Sequence, residues 1–191
     1  MSKVNMPIGN DYCPQSMFVY GTYNEDGKAN FALFNWFSYT WDSEMGVMAC
    51  IGGSKRTRDN ILRSRTFSAN LVTEKLLPLA DYLGNTSGYD PGKMAIDIPI
   101  GRGNVLDVPT LIDSPLAFEL EVNRFIPLDD GLLMLCRIRN VLADELLADE
   151  TLTPPEKLLQ IRPIHMTCNR FFGWDGSLLG SWGEPMKEFI K

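Results

Sequence analysis

Residues Leu116–Val122 (LAFELEV) place Leu116, Phe118, Leu120 and Val122 on one face and Ala117, Glu119 and Glu121 on the other. This two-residue period predicts a half-buried antiparallel strand. Asp129-Asp130-Gly131 then turns the chain, and Leu132–Val141 (LLMLCRIRNV) returns beside it as a hairpin. Earlier, Met17–Thr22 (MFVYGT) is a short β-rich run, reversed by the turn residues Asn24 to Gly27. Asn30–Ser38 (NFALFNWFS) resumes it with apolar residues on both faces, as for a strand covered on both sides, and Gly46–Ile51 predicts a third strand. Phe67–Thr73 alternates Phe67, Ala69 and Leu71 against Ser68, Asn70 and Val72. Helices are predicted over Thr57–Ser64, capped by Thr57, over Glu74–Leu83 with Pro78 in an early turn, from Pro154 to about Gln160, and near Pro185–Ile190. Between Gly84 and Thr110, five glycines and three prolines mark a long excursion of turns, a feature often tied to function.

About six strands in two hairpin-connected groups, with helices between them and no β-α-β alternation, predict a mainly β fold: an antiparallel barrel with short helices rather than a parallel dinucleotide-binding sheet. The 191 residues are one domain's length, so residues 1–191 are read as a single domain. The net charge of −6 opposes association with phosphate backbones and anionic lipid, so neither nucleic acid nor membrane is an expected partner. No stretch approaches the ~18 apolar residues of a membrane helix. Met1–Tyr12 lacks the features of a signal peptide. Cys13, Cys50, Cys136 and Cys168 have no metal or redox spacing, which fits small buried hydrophobes in a reducing cytoplasm.

Against this acidic background, Lys55–Arg65 (KRTRDNILRSR) holds Lys55, Arg56, Arg58, Arg63 and Arg65 against one acid, Asp59. The cluster lies on a helix preceded by Gly52-Gly53-Ser54, where unpaired N–H groups, hydroxyls and cations can converge on one anion, and a phosphate suits such a place. The alternative is a surface helix made soluble by basic side chains. The glycines match neither the Walker loop nor the G-x-G-x-x-G fingerprint. His165 is the single histidine, no nucleophile elbow surrounds any serine, and His165 with Cys168 has no second ligand pair. No catalytic side chain and no metal site are therefore assigned.

Five segments occur in an order that resembles the flavin reductase-like family: Val19–Asn30 with its D-G-x-x-N hairpin, Asn35-Trp36-Phe37-Ser38, Gly52–Ile61 with a T-x-x-N-I helix start, Phe67–Leu71 (FSANL), and Ser87–Met94 with S-G-x-x-x-x-K. Phe171-Phe172 stands where the family often has tyrosine, and Lys55 adjoins the arginine assigned to phosphate. The resemblance implies an FMN-binding split barrel of Greek-key type, usually homodimeric, related to flavoredoxins and NAD(P)H:FMN reductases. It implies that Ser54, Arg56 and Thr57 hold the FMN phosphate, with Lys93 as a further cation. Asn35, Trp36, Phe37 and Ser38 would edge the isoalloxazine, and Cys50, Ile51, Gly52, Gly53, Asn70, Leu71, Ser87 and Gly88 would line the ribityl and ring region. The implied activity is hydride transfer from NAD(P)H to flavin N5, with electrons passing to free flavin, a partner protein or a small acceptor. The alternative is a flavoredoxin-like carrier served by an electron-donor protein. The flavin would perform the redox chemistry, so no acid or base side chain is required.

Overall fold

The computed structural model describes residues 2–190. The first half of the chain comprises β1 (Gln15–Ser16), β2 (Phe18–Tyr23), β3 (Ala29–Phe34), β4 (Phe37–Asp42), β5 (Glu44–Gly52), α1 (Arg56–Ser64), β6 (Thr66–Leu71) and α2 (Leu77–Asn85). A small hairpin, β7 (Ile100–Arg102) with β8 (Pro109–Leu111), precedes the long ribbon of β9 (Leu116–Leu128) and β10 (Gly131–Ala143). The remainder comprises α3 (Glu145–Ala148), α4 (Pro154–Ile161), β11 (His165–Thr167), β12 (Arg170–Phe172), β13 (Leu178–Ser181) and α5 (Met186–Phe189).

Seven strands form one antiparallel sheet in the order β3-β2-β6-β9-β10-β5-β4. Alternate residues fill its interior: Phe18 and Tyr20 from β2, Val47, Ala49 and Ile51 from β5, Phe67, Ala69 and Leu71 from β6, and Phe118, Leu120, Val122, Leu132, Met134 and Cys136 from the ribbon. Ile61 of α1 belongs to the same core. The two end strands, β3 and β4, follow one another in the chain yet pair with opposite edges, so the barrel is split at Asn35-Trp36.

The other face of β2 and β3 is also covered. Met17, Val19, Phe31 and Leu33 pack with Leu77, Leu79, Ala80 and Leu83 of the α2 region, and with Leu111, Ile164 and Phe171. This explains the two-sided apolar character of Asn30–Ser38, but that run is not one strand. It breaks at Asn35, where the Phe37 N–H donates to the Asn35 carbonyl (3.1 Å) and the Cys50 N–H donates to the Trp36 carbonyl (3.0 Å). The chain thereby leaves one sheet edge and joins the other.

Three further expectations are corrected. Helix α1 begins at Arg56 with Lys55 as its cap residue, and the Thr57 hydroxyl accepts from Asn30 Nδ2 (2.9 Å) instead of capping. Helix α2 starts at Leu77, because Thr73 makes a turn with Leu76 and Glu74 is drawn to Arg162 (2.7 Å). Of the cysteines only Cys136 is buried; Cys13 is exposed, Cys50 and Cys168 are half-buried, and all four are free. The C-terminal region, joined by β1 from the N-terminal end, adds a second sheet, β1-β11-β12-β13, whose strands of two to four residues are too short for a periodic signal.

Two buried acids fix the loops. Glu119 is 0% exposed and accepts from the backbone N–H groups of Asn104, Val105 and Leu106 and from Asn140 Nδ2. Burial raises its pKa, but the bonds from Asn140, Leu106, Val105 and Asn104 outweigh that and hold it below the usual value. Asp81 of α2, also 0% exposed, accepts from Asn85 Nδ2 (2.8 Å), Gly183 N–H (3.0 Å) and Met186 N–H (3.0 Å), pinning the C-terminal segment to α2. Among the described residues no helix is long and apolar enough to cross a membrane.

Candidate functional site

The turn after β5 aims α1 at the split. Gly53 adopts a left-handed φ of 68°, its N–H donates to the Asp130 carbonyl (3.0 Å), and the chain enters α1 three residues later. The first-turn N–H groups of α1 have no intrahelical partner, and no side chain of the cap residue takes their place. Asn60 Nδ2 donates to Thr22 Oγ1 (3.0 Å) and Asn24 Oδ1 (2.9 Å), while Asn30 Nδ2 reaches Thr22 Oγ1 (3.3 Å) and Thr57 Oγ1. This buried network seats α1 on the β2–β3 hairpin, which explains why Asn30 and Asn60 accompany Thr57 in sequence.

In front of the helix lies a cavity of about 260 Å³, lined by Ala32, Leu33, Phe34, Ser54, Lys55, Arg56, Thr57 and residues 83–89, with Lys93. Arg56 makes no salt bridge among the described residues. Its guanidinium carbon stacks 4.9 Å from the centre of the Tyr89 ring, and its Nε is buried without a hydrogen-bond partner. The Thr57 hydroxyl accepts from Asn30 and finds no acceptor for its own proton among the described residues. Lys93 is 1% exposed, and its ammonium donates to the carbonyls of Leu83 (2.7 Å) and Thr86 (2.9 Å), closing the end of α2. Burial, and secondarily the charge of Lys55, lowers its pKa to about 8. The floor thus has cations, free donors and a positive helix end but no facing carboxylate: an anion site.

A second cavity, about 520 Å³, continues from the first and shares Leu33, Phe34, Lys55 and Gly84 with it. Its other walls are Asn35, Trp36, Cys50, Gly52, Gly53, Leu128, Asp130, Gly131 and Trp182. Trp182 lies over Gly84, where an added Cβ would come 2.9 Å from the indole, so glycine is needed for the ring to sit there. The indole itself stacks on Phe171 (5.9 Å), and the chain after it is held by Asp81 through Gly183. Burial raises the Cys50 pKa and keeps its thiol protonated. The two cavities form one groove along the split, anionophilic at one end and aromatic at the other.

Of the residues assigned from sequence, Asn35, Trp36, Cys50, Gly52, Gly53, Ser54, Arg56, Thr57, Ser87, Gly88 and Lys93 line this groove. Five do not. Ile51 and Leu71 are packed in the barrel interior, and Phe37 stacks on Phe18 (4.2 Å) against the same core. Asn70 is buried and joins β2 to β8, donating to the Val19 carbonyl (2.9 Å) and accepting from Leu111 N–H (2.9 Å). Ser38 is exposed on β4. His165 stacks on Phe172 (5.8 Å) in the small sheet and lines neither cavity. Among the described residues no group of three or more His, Cys, Asp or Glu could hold a metal ion.

Sequence reasoning passed over Phe34, Gly84, Tyr89 and Trp182 as groove residues, and counted Lys55 only as part of the basic cluster. Lys55 was legible, because it heads that cluster between Ser54 and Arg56. Trp182 was not, since it reaches the groove across about a hundred residues of sequence through Asp81.

Residues 10–159 match the family model described as the flavin reductase like domain. The chain belongs to this family. A search of curated proteins gives no match. Among solved structures, the flavoredoxin of Desulfovibrio vulgaris (Miyazaki F) superimposes with a TM-score of 0.80 at 19% identity, covering 90% of this chain and 93% of that one. An FMN-binding protein of Thermus thermophilus with bound 1-cyclohex-2-enone gives 0.72 at 23% identity, with 91% and 93% covered. The styrene monooxygenase flavin reductase of Pseudomonas putida S12 gives 0.66 at 17% identity, with 84% and 91% covered. At these identities the likeness concerns the fold, which is the antiparallel split barrel expected from the sequence.

Proposed function

We propose that the groove binds FMN, and that this flavin reductase-like protein is an oxidoreductase that takes hydride from NAD(P)H and passes electrons to free flavin, a partner protein or a small acceptor. The observation that carries the reading is the buried, partnerless Nε of Arg56 at the uncapped head of α1. A buried donor without an acceptor is costly, and a phosphate oxygen satisfies it. Arg56, Thr57 and the first-turn N–H groups would hold the phosphate. Ser54 adds its backbone N–H, and the Lys93 ammonium adds charge behind the site. The aromatic end would take the ring system: Trp36, Trp182, Phe34 and Leu128 exclude water, and Lys55 brings positive charge to the junction of the two cavities. When bound, FMN supplies hydride acceptance and onward electron delivery. The chain's own part is binding, orientation and electrostatic bias.

Exposed Trp36, Tyr39, Trp41 and Met45 form an apolar edge on the β4–β5 hairpin beside the groove. A second copy of the chain would cover it, giving the homodimer implied by the sequence resemblance.

The test is to load the purified protein with FMN and titrate it anaerobically with NADH, NADPH and then dithionite. Loss of the yellow absorbance with a nicotinamide is the expected result. Bleaching by dithionite alone would overturn direct nicotinamide oxidation in favour of a flavoredoxin-like carrier. A protein that takes up no FMN would overturn the flavin reading.

A further inference from the structure

Behind the anion end of the groove lies a third cavity of about 300 Å³, bounded by the Asn24–Asn30 hairpin and by residues 88–94. It shares only Arg56, Gly88, Tyr89 and Lys93 with the groove, so these four residues are the partition between the two chambers. The wall is tight at its base: a Cβ on Gly88 would come 2.7 Å from Arg56 Cβ and 2.8 Å from Asn30 Oδ1. Its upper part is the Tyr89 side chain. That ring lies against the Arg56 guanidinium, and its hydroxyl donates to Asp59 Oδ2 (2.8 Å) and accepts from the Ser54 hydroxyl (3.1 Å). A carboxylate can only accept, which fixes these directions.

We infer that Tyr89 is the specificity-determining partition that ends the groove at a monophosphate and so excludes the adenylate half of FAD. This deepens the flavin reading and rests on it. The phenol does two things at once. It supports the Arg56 guanidinium by stacking rather than by a carboxylate, which leaves the guanidinium charge uncompensated for a phosphate. It also stands where the chain of a dinucleotide would have to pass from the first phosphate into the third cavity. That cavity carries mixed charge from Lys28, Glu25, Asp26 and Asp90, which suits a neutral nucleoside better than a second anion. The ends of the loop are independently tied, by Lys93 to α2 and by Tyr82 Oη to the Lys93 carbonyl (3.0 Å). Changing residue 89 should therefore open the partition without releasing the loop.

The experiment measures dissociation constants of FMN and FAD for the wild type, Tyr89→Ala and Tyr89→Phe by flavin fluorescence. Because Tyr89→Ala also loosens Arg56, the readout is the ratio of FAD to FMN affinity within each protein. The wild type is expected to prefer FMN, Tyr89→Phe to keep that preference because the ring remains, and Tyr89→Ala to shift the ratio toward FAD by about tenfold or more. Should Tyr89→Ala fail to fold, Tyr89→Leu carries the same expectation with a smaller shift. A wild type that binds both flavins equally, or an unchanged ratio in the folded variant, overturns the partition while leaving FMN binding intact. A wild type that binds neither flavin overturns the groove reading, and the partition with it.

Discussion

Glu119 and Arg56 are both charged side chains with buried atoms on the same barrel, and their surroundings are opposite in kind. Around Glu119, three backbone N–H groups and an amide converge on one carboxylate. Among the described residues no carboxylate makes a salt bridge with Arg56, a ring takes the place of a counter-ion, and a buried Nε has nothing to bond. Lys93 and Asp81 belong with Glu119, since each is buried and bonded to backbone groups that need a partner. The difference separates groups that stabilise the fold from groups left over by it. In a folded protein leftover buried donors are uncommon, and while the one on Tyr20 is sealed in the barrel core, the one on Arg56 faces a cavity at a helix end and marks where something else binds.

The sharpest way to break this division is to remove the acceptor that the fold depends on. Glu119→Ala strands four donors in the interior at once and should cost about 3–5 kcal/mol of stability, measured by urea unfolding. A loss comparable to that of a surface substitution would show that water replaces the carboxylate freely and that Glu119 is not a structural anchor.

Lys93 gives the next largest effect, and its sign is distinctive. Its folded pKa of about 8 lies below the ordinary lysine value near ~10.4, so between these limits the unfolded chain holds a proton that the folded chain has released. Stability contributed by this group is therefore present above about pH 10.4 and lost as pH falls through about 8. The difference in unfolding free energy between wild type and Lys93→Met should grow in favour of the wild type across that window, by up to ~3 kcal/mol. Tyr20 and Cys136, whose pKa values are raised by burial, act in both proteins and cancel in the difference. A flat difference would mean that the ammonium is hydrated in the folded state.

On the other side of the division, Arg56→Ala combined with Thr57→Ala should weaken FMN binding by about 10²-fold, as loss of charge-assisted phosphate contacts requires. Arg63→Ala should leave affinity nearly unchanged, because Arg63 donates to the exposed Tyr23 carbonyl (2.7 Å) at the far end of α1. Equal losses would reduce the cluster to a general electrostatic field rather than a built site.

How much of this was legible in the sequence follows the same division. The β9–β10 ribbon was visible because one face is buried and the other is wet, although bulges at Leu135/Cys136 and Ile138/Asn140 hid its full length. The anion end was visible because its residues are contiguous from Gly52 to Thr57. The aromatic end was half visible. Asn35 and Trp36 stood out, whereas Phe37 and Leu71 carry the same apolar signature and are simply core. Asn70 was assigned only through the family's F-x-x-N strand, and in the structure it lines neither cavity and instead bonds the neighbouring strands. Gly84 and Trp182 lie about a hundred residues apart, and their meeting is fixed by a buried carboxylate and an aromatic stack that no local pattern announces.

Trp182 sharpens the comparison most finely because it belongs to both halves. Its position is secured by the satisfied half of the molecule, through Asp81 and Phe171, while its 37% exposed indole lines the unsatisfied half. Trp182→Ala leaves every hydrogen bond to Asp81 in place, because those bonds come from the backbone of Gly183 and Met186 and from the Asn85 amide. The C-terminal segment should therefore stay docked while the groove loses one aromatic wall. FMN affinity is expected to fall by about tenfold, the effect of losing one stacking wall rather than a charge. Riboflavin, which lacks the phosphate, should lose a similar factor for Trp182→Ala but almost none for Arg56→Ala with Thr57→Ala. If riboflavin responded to both sets of substitutions alike, the two ends of the groove would not be reading different parts of one ligand.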